Sequence, residues 1–576
     1  MICRWFRLDP AARAGKLTKK ASGDAADSKS GASVSLASLF VARAAKLPPR
    51  QGRARATRGI RVRMRDGVML ETIVFEPRLP GRYPTLLTRL PYGTRAFQVV
   101  GEAYAERGYN VVVQACRGTD RSEGQFDPLT HEREDGLDTL AWIKTQPWYD
   151  GRLGTYGASY LGYAQWAISD ALPKQSAMAV KISSAEFKSI VFPGGAFHLG
   201  LWLGWLQIIE MLRKPPFMAG RRIARGIIEQ RTLKASMQLP LIDADRRAVG
   251  HDVPFWKRWV TAAVGSDSFW EPLDHTHRIG PRTPPTSFLS GWYDFMLDQL
   301  LRDYETLVEA GGKPWLTIGP WWHVSPELQL RGITDTLTWM DAKLLDSPRD
   351  LPGKPVRLYV SGADEWRDYD AYPPATPMVE IWHLQAEKTL AQHPPAATPP
   401  DHYLYDPHDP TPNVGGAMFA FVGAGPQDQA ELEKRNDVLV YTSAPLTSPL
   451  TIIGNVRAMI YMRPSLPNAD LFVKLCDVDE AGRSINICDG IVRRTASTAG
   501  IWRLNFKLHA TAHLFRAGHR LRLIVAGGAH PRFARNTGTD EPLATATTLR
   551  TVDVEIFHDP EHPSAIHLPV HVEPNA

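Results

Sequence analysis

The chain has 576 residues, of which 43% are hydrophobic and 22% are charged. It is too long for one ordinary core and too apolar for wholesale disorder, so we expect about three domains. No run of about 18 uninterrupted apolar residues occurs, which excludes a membrane-spanning helix and predicts a soluble protein without a membrane partner.

The net charge of +6 is concentrated at the N-terminus. Residues 1–59 hold 13 Lys and Arg against 3 Asp, so this segment carries +10 and the rest of the chain −4. A mildly acidic body argues against nucleic-acid binding. We expect the basic, Ala-, Ser- and Gly-rich residues 1–58 to form a disordered tail, although the apolar residues 33–42 leave a targeting role open. The four cysteines form neither a disulfide framework nor a CxxC metal-binding pattern, so we expect a cytoplasmic location.

An alternation of short strands and helices is predicted from about residue 59. Residues 60–64 and 68–74 alternate with period two around Asp66-Gly67, which predicts a β-hairpin. The following segments predict a mostly parallel sheet covered by helices on both faces. The predicted strands are residues 85–90, 110–115, 154–156, 177–183, 286–290, 315–318 and 356–360, and the predicted helices are residues 134–144, 160–170 and 300–310.

Two long segments depart from this alternation. Residues 184–284 contain helix-like runs at 199–212 and 219–228 but no convincing strand, which indicates an inserted helical cap. From about residue 370, Pro and Gly punctuate short β-rich runs, which predicts a jelly-roll β-sandwich. The predicted division is a tail (1–58), an α/β core in two parts (59–183 and 285–369), a helical cap (184–284) and a C-terminal jelly roll (370–576).

A candidate nucleophile lies where a predicted strand meets a predicted helix, in Gly154-Thr-Tyr-Gly-Ala-Ser159-Tyr-Leu-Gly162. A tight turn at such a junction lifts the serine hydroxyl above the sheet edge, as in the nucleophile elbow of an α/β-hydrolase. The small residues before Ser159, and Gly162 after it, allow the chain to pass close to itself. By itself the G-x-S-x-x-G pattern fits a serine that caps an ordinary helix equally well.

The partners that a catalytic serine requires follow in the order Ser, Asp, His. Asp294 comes just after the predicted strand at 286–290, and His323 comes just after the next one. Asp298, one helical turn later, is the alternative orienting acid. We predict a triad of Ser159, Asp294 and His323.

Acyl transfer also needs hydrogen-bond donors for the oxyanion. One is expected to be the backbone N–H of Tyr160, and the second to come from Pro91-Tyr92-Gly93, directly after an early strand. For Tyr92 a packing role is the alternative.

The motifs GASYLG at Ser159, PYG at Tyr92, GWYD at Asp294 and GPWWH at His323 together resemble the family of cocaine esterase and X-Pro dipeptidyl-peptidase-type hydrolases. The resemblance runs from about residue 60 to the C-terminus. It implies an α/β-hydrolase domain, a helical cap and a C-terminal jelly roll. By position, Ser159, Asp294 and His323 match the family's triad, and Tyr92 matches the tyrosine that completes its oxyanion hole.

The predicted function is therefore that of a serine hydrolase, carboxylesterase-like, which cleaves a small-molecule ester or amide through an acyl-enzyme. No cofactor or metal is expected, because neither H-E-x-x-H nor G-x-G-x-x-G occurs in the required context. An X-Pro dipeptidyl-peptidase, an α-amino ester hydrolase or an acyltransferase on the same triad is the alternative. A further alternative is a catalytically silent protein that binds a carbohydrate or a partner. The sequence also leaves open whether the protein forms a homo-oligomer.

The nature of the substrate pocket is harder to predict. The residues after the nucleophile offer no carboxylate that would bind a substrate ammonium, although Glu186 and Glu210 in the cap leave amine recognition open. We expect Trp292, Trp321 and Trp322, which flank the catalytic positions, to line an apolar pocket.

Overall fold

The structure is a computed structural model that describes residues 36–212, 226–262, 267–346, 350–374, 378–495 and 500–572. Two sheets with their helices make up this part of the chain. The α-helices are α1 (Leu36–Ala44), α2 (Gln98–Ala105), α3 (Glu132–Lys144), α4 (Tyr160–Trp166), α5 (Lys188–Val191), α6 (Leu199–Leu212), α7 (Ile227–Ser236), α8 (Ala244–Val249), α9 (Pro254–Thr261), α10 (Asp267–Trp270), α11 (Leu297–Glu309), α12 (Pro326–Leu344) and α13 (Ala430–Glu433). None of these helices has both the length and the apolar character needed to cross a bilayer.

The first sheet has ten strands in the order β1-β2-β4-β3-β5-β6-β7-β8-β9-β10. Pairings that involve β1, β2 or β10 are antiparallel, and the others are parallel. Its strands are β1 (Ala54–Arg63), β2 (Met69–Pro77), β3 (Tyr83–Leu90), β4 (Asn110–Ala115), β5 (Tyr149–Ala158), β6 (Ser176–Lys181), β7 (Thr286–Tyr293), β8 (Trp315–Trp322), β9 (Val356–Val360) and β10 (Glu365–Tyr369). The predicted α/β class with a mostly parallel sheet is confirmed.

Burial explains why this sheet forms in this way. Strands β4 and β6 are buried at every position, as expected for central strands with helices on both faces. Helix α11 buries an apolar stripe at helical spacing, formed by Leu297, Leu300, Leu301, Tyr304 and Leu307. Because β7 and β8 run parallel, the residues that follow them emerge at the same edge of the sheet as those that follow β5.

The N-terminal segment corrects one prediction. Helix α1 packs against α2 and buries Val41 and Ala42, while Arg43 is exposed; Ala45, just after the helix, is also buried. Strand β1 already begins at Ala54. The prediction of a disordered tail is therefore wrong for residues 36–58, because small apolar side chains among the basic ones supply a buried face. Residues 1–35 lie outside the described residues.

Between β6 and β7 the described residues form helices and no strand. Helices α6 and α9 contribute Trp202, Trp205, Phe255 and Trp259 to one aromatic cluster, in which neighbouring ring centroids lie 4.4–5.8 Å apart. Most of the helix predicted at 219–228 lies outside the described residues, and α7 begins at Ile227.

The second sheet follows after residue 370. Its order is β13-β20-β15-β21-β11-β12-β14-β19-β16-β17, and β18 pairs with β15. Alternate residues of β16, namely Leu471, Val473 and Leu475, belong to one apolar core. Its strands are β11 (Met378–Gln385), β12 (Thr389–Ala391), β13 (Asp401–Tyr405), β14 (Val438–Ser443), β15 (Leu450–Pro464), β16 (Asn468–Val478), β17 (Ser484–Thr495), β18 (Trp502–Phe515), β19 (Arg520–Ala526), β20 (Val552–Phe557) and β21 (Ala565–Val570). This is the predicted β-sandwich.

Candidate active site

Ser159 occupies the sharp turn between β5 and α4. Its φ of 59° and ψ of −125° are uncommon for a residue with a side chain, so the surrounding structure must hold them. The Ser159 N–H donates to the Lys181 carbonyl at 2.9 Å, and the Ser183 hydroxyl donates to the Ser159 carbonyl at 2.7 Å. These bonds tie the turn to the neighbouring strand β6 and to the residues that follow it.

Two glycines make this turn sterically possible. A Cβ at Gly162 would lie 2.4 Å from the Ser183 Cβ, and one at Gly157 would lie 2.3 Å from the Leu161 Cβ. The close passage of the chain expected from the sequence is therefore present, and Ser159 has the backbone geometry of a nucleophile elbow and makes no side-chain capping bond to α4.

His323 and Asp294 join Ser159 in one chain of hydrogen bonds. The His323 Nε2 lies 3.0 Å from the Ser159 Oγ, and its Nδ1 lies 2.6 Å from the Asp294 Oδ2. Asp294 is 0% exposed, and its Oδ1 accepts a hydrogen bond from the Met296 N–H at 2.8 Å. The Phe295 ring stacks on the imidazole with centroids 4.3 Å apart. The sequence-predicted triad residues are thus brought together in the order that nucleophilic catalysis uses.

Asp298, the alternative acid, has other partners. It accepts a hydrogen bond from the Ala510 N–H at 3.1 Å and contacts the His509 Nδ1 at 2.9 Å. Both partners belong to β18, so Asp298 links α11 to the C-terminal sheet and does not orient His323.

Tyr92 lies just beyond β3, at the same edge of the sheet as Ser159. The Trp205 Nε1–H donates to the Tyr92 hydroxyl at 3.1 Å, and Tyr92 lines the same cavity as Ser159. Burial raises the pKa of the Tyr92 phenol to about 12, while Trp205 and Ser159 act in the opposite direction. The hydroxyl therefore keeps its proton at neutral pH and can donate a hydrogen bond.

Tyr160 is the first residue of α4, where a backbone N–H has no acceptor within the helix. Its side chain is anchored in the buried interior. The Tyr160 hydroxyl donates to the Glu132 Oε1 at 2.8 Å and accepts from the Leu129 N–H at 2.9 Å, and Arg89 donates to the Glu132 Oε2 at 2.8 Å. Burial, followed by the Glu132 carboxylate, raises the pKa of the Tyr160 phenol well above its usual range. No local sequence pattern points to Glu132.

A cavity of about 270 Å³ opens beside Ser159 and His323. Its described walls are almost wholly aromatic and aliphatic, and no Asp, Glu, Lys or Arg is among them. The cap contributes Leu201, Trp202, Trp205 and Trp259 to these walls. The C-terminal part contributes Phe419 and Phe421.

The prediction that Trp292, Trp321 and Trp322 line the substrate pocket is wrong, because none of them lines this cavity. Trp292 is 1% exposed and donates from Nε1 to the Tyr359 carbonyl at 2.6 Å. Trp321 packs on Trp366 with ring centroids 5.6 Å apart, and Trp322 lies beside Gly425. Strand side chains point to the faces of a sheet, whereas the cavity lies beyond its edge, so proximity in sequence did not place these rings in the pocket.

The two cap carboxylates also lie away from the cavity. Glu186 accepts a hydrogen bond from the Ser189 N–H at 3.0 Å and pairs with Arg302 at 2.9 Å. Glu210 lies 3.4 Å from the His251 Nε2. Neither carboxylate is placed to bind an ammonium group next to Ser159.

Comparison with known proteins identifies the family of this chain. The family described as X-Pro dipeptidyl-peptidase (S15 family) matches residues 66–325, and the X-Pro dipeptidyl-peptidase C-terminal non-catalytic domain matches residues 352–567. Cocaine esterase of Rhodococcus sp. (strain MB1 Bresler) is 31% identical over 565 residues, which cover 89% of this chain and 98% of that protein.

Solved structures show the same fold. An aminopeptidase from a marine sediment Thaumarchaeota archaeon has a TM-score of 0.76 at 23% identity, and an α-amino acid ester hydrolase has a TM-score of 0.76 at 22% identity. Each comparison covers 91% of this chain and 98% of the other. The chain therefore belongs to the family of serine hydrolases that includes cocaine esterase and the X-Pro dipeptidyl-peptidases of the S15 family.

Proposed function

We propose that this protein hydrolyses uncharged carboxylic esters that carry an apolar acyl group, through an acyl-enzyme on Ser159. The observation that carries the proposal is the hydrogen-bonded chain of Ser159, His323 and Asp294 at the wall of a cavity whose described lining has no Asp, Glu, Lys or Arg. A buried apolar acyl group gains free energy in such a cavity, whereas a buried ammonium without a carboxylate loses it.

Each step follows from the contacts of the site. His323 takes the Ser159 hydroxyl proton at Nε2 as Oγ attacks the ester carbonyl. Asp294 accepts a hydrogen bond from Nδ1–H, so it holds the tautomer that leaves Nε2 free to accept. The Tyr92 O–H and the Tyr160 N–H donate to the oxyanion as it forms. His323 then returns the proton to the leaving alcohol, and water releases the acyl group by the same steps in reverse order.

Substrates with a free amino terminus are the main alternative within this family. The positions of Glu186 and Glu210 argue against them, because each carboxylate is paired away from the cavity. Residues 213–225, which lie outside the described residues and directly follow the cavity residue Leu212, contain no Asp or Glu in their sequence. Acyl transfer to an alcohol in place of water would use the same side chains, and a silent binding protein would not need them.

A panel of chromogenic substrates tests the proposal. p-Nitrophenyl esters from acetate to decanoate, with the benzoate, are compared with Gly-Pro and Ala-Pro p-nitroanilides, and Ser159→Ala serves as the inactive control. We expect kcat/KM to rise by about threefold to fourfold per added methylene until the cavity is full, since a buried methylene contributes ~0.8 kcal/mol. Faster turnover of the dipeptidyl anilides than of every ester would contradict it. Product analysis with added methanol separates hydrolysis from acyl transfer.

A further inference from the structure

Trp205 in the cap contacts both residues to which we assign the oxyanion donors. Its indole N–H donates to the Tyr92 hydroxyl at 3.1 Å. Its ring lies nearly parallel to the Tyr160 ring, with an interplanar angle of 14° and centroids 6.3 Å apart. Trp205 is 6% exposed and stands on α6, so the cap holds it in this position.

The direction of the indole hydrogen bond determines what the Tyr92 hydroxyl can do. A phenol oxygen has one proton and accepting lone pairs. Because Trp205 can only donate, it occupies a lone pair of Tyr92 and leaves the phenolic proton for another acceptor. Tyr92 and Ser159 line the same cavity, in which the oxyanion would form. A hydroxyl that accepts one hydrogen bond also becomes a stronger donor.

We propose that Trp205 is a positioning residue that directs the Tyr92 O–H toward the oxyanion and supports the ring of Tyr160. The proposal rests on the proposed function, since it assigns Trp205 a role in the same acyl transfer. It makes the cap part of the machinery that stabilises the transition state, in addition to a wall of the pocket.

Trp202, one turn earlier on α6, provides a matched control. It also lines the cavity and is 4% exposed, and its ring lies edge-on to that of Trp205 with centroids 5.7 Å apart. Its Nε1 has no hydrogen-bond partner among the described residues. Trp202→Phe and Trp205→Phe therefore remove the same atoms from the same helix, but only the second removes a hydrogen bond to Tyr92.

A double-mutant cycle on kcat tests the proposal with a p-nitrophenyl ester. Trp205→Phe keeps an aromatic ring over Tyr160 and deletes the N–H, so we expect kcat to fall by about threefold to tenfold, the effect of one hydrogen bond. In a Tyr92→Phe background the same change should lower kcat by less than about twofold, because the hydroxyl that Trp205 directs is gone. Trp202→Phe should have the same effect in both backgrounds.

A trifluoromethyl ketone, which forms a tetrahedral adduct with a catalytic serine, gives a second readout. Its inhibition constant should rise in Trp205→Phe by the same factor as kcat falls. An equal effect of Trp205→Phe on kcat with and without the Tyr92 hydroxyl would overturn the proposal, as would unchanged inhibition by the ketone.

A second replacement at position 205 separates the loss of the hydrogen bond from a folding defect. If Trp205→Phe melts at a clearly lower temperature than Trp202→Phe, 3-benzothienylalanine introduced at position 205 keeps the shape of the indole and replaces only the N–H by sulfur. It should reproduce the fall in kcat, and wild-type kcat with this residue would overturn the proposal. An enzyme that turns over no ester at all would instead refute the proposed function, so the two failures are distinguishable.

Discussion

At the residue scale, the site consists of side chains whose neighbours fix what each can do. Asp294 is fully buried and uses one oxygen for the Met296 N–H and the other for His323, so its geometry has little freedom. Asp298 lies one turn away on α11, yet it faces β18. Two carboxylates of similar sequence context thus have different roles, and their conservative replacements separate those roles.

We expect Asp294→Asn to lower kcat by about 10⁴, because an amide no longer holds the Nδ1–H tautomer of His323. Asp298→Asn, which keeps the shape of a residue outside the site, should retain kcat within about threefold. Steady-state kinetics with a p-nitrophenyl ester measure both. The reverse result, with Asp298→Asn inactive and Asp294→Asn near wild type, would reassign the orienting acid.

Tyr92→Phe keeps the ring and its packing and deletes only the hydroxyl. Because the hydrogen bond to the oxyanion strengthens as negative charge develops, we expect kcat to fall by about 10²–10³ with little change in KM. Initial-rate measurements over a range of ester concentrations give both constants. A folded variant within about threefold of the wild-type kcat would make Tyr92 a packing residue.

Chain order and position after strands were enough to predict that Ser159, Asp294 and His323 lie together, because parallel strands end at one edge of a sheet. The pocket could not be predicted in this way. Its walls come from the cap and from Phe419 and Phe421 in a loop of the C-terminal part, far apart in sequence and without a pattern of their own.

At the scale of elements, the turn from β5 into α4 depends on close contact with β6 and the residues after it. Gly162 lets α4 approach Ser183, and the Lys181 carbonyl accepts the Ser159 N–H. The strained φ of Ser159 therefore persists because its surroundings are packed tightly, and the glycines of the motif allow this packing.

Gly162→Ala should destabilise the protein by about 1–3 kcal/mol, since the added methyl would meet the Ser183 Cβ at 2.4 Å. Activity should fall with it, because the elbow must move. Gly280→Ala is the matched control, as its new Cβ would have nothing within 4 Å. Urea unfolding measures both variants, and equal stabilities would show that the elbow tolerates a larger residue.

Lys181, next to this turn, links β6 to α12 by donating from Nζ to the Gly332 carbonyl and the Thr336 hydroxyl. Burial lowers its pKa from 10.5 to about 7, while Asp335 acts in the opposite direction. A lowered pKa in the folded state means that the folded protein binds fewer protons than the unfolded chain between these values. The contribution of Lys181 to stability is therefore greatest above pH 10.5 and is lost as the pH falls toward 7.

Lys181→Met removes this titration but keeps an aliphatic side chain. The difference in unfolding free energy between wild type and variant should shift in favour of the wild type as the pH rises from about 7 to about 10. Chemical denaturation across this pH range measures it. Parallel pH profiles would show that the ammonium is not desolvated in the folded protein.

At the scale of the whole molecule, three parts of the chain meet at one site. The α/β core supplies the proposed triad and Tyr92, the cap supplies Trp205, and the C-terminal part places Phe419 at 5.8 Å from the His323 ring. The bond from the Ala510 N–H to Asp298 holds the C-terminal sheet against the core. Strand and helix periodicity were sufficient to predict these three parts. The helix and strand within residues 36–58 were not predicted, because the composition there is that of a disordered segment and only the packing on α2 reveals a helix.

Labelling with a fluorophosphonate probe, followed by mass spectrometry, tests directly whether Ser159 is the nucleophile. Such a probe reacts with an activated serine and leaves a stable adduct. We expect a single adduct on the peptide that contains Ser159, and the loss of both labelling and ester turnover in a folded Ser159→Ala variant. A label that persists in this variant on another serine would contradict this assignment.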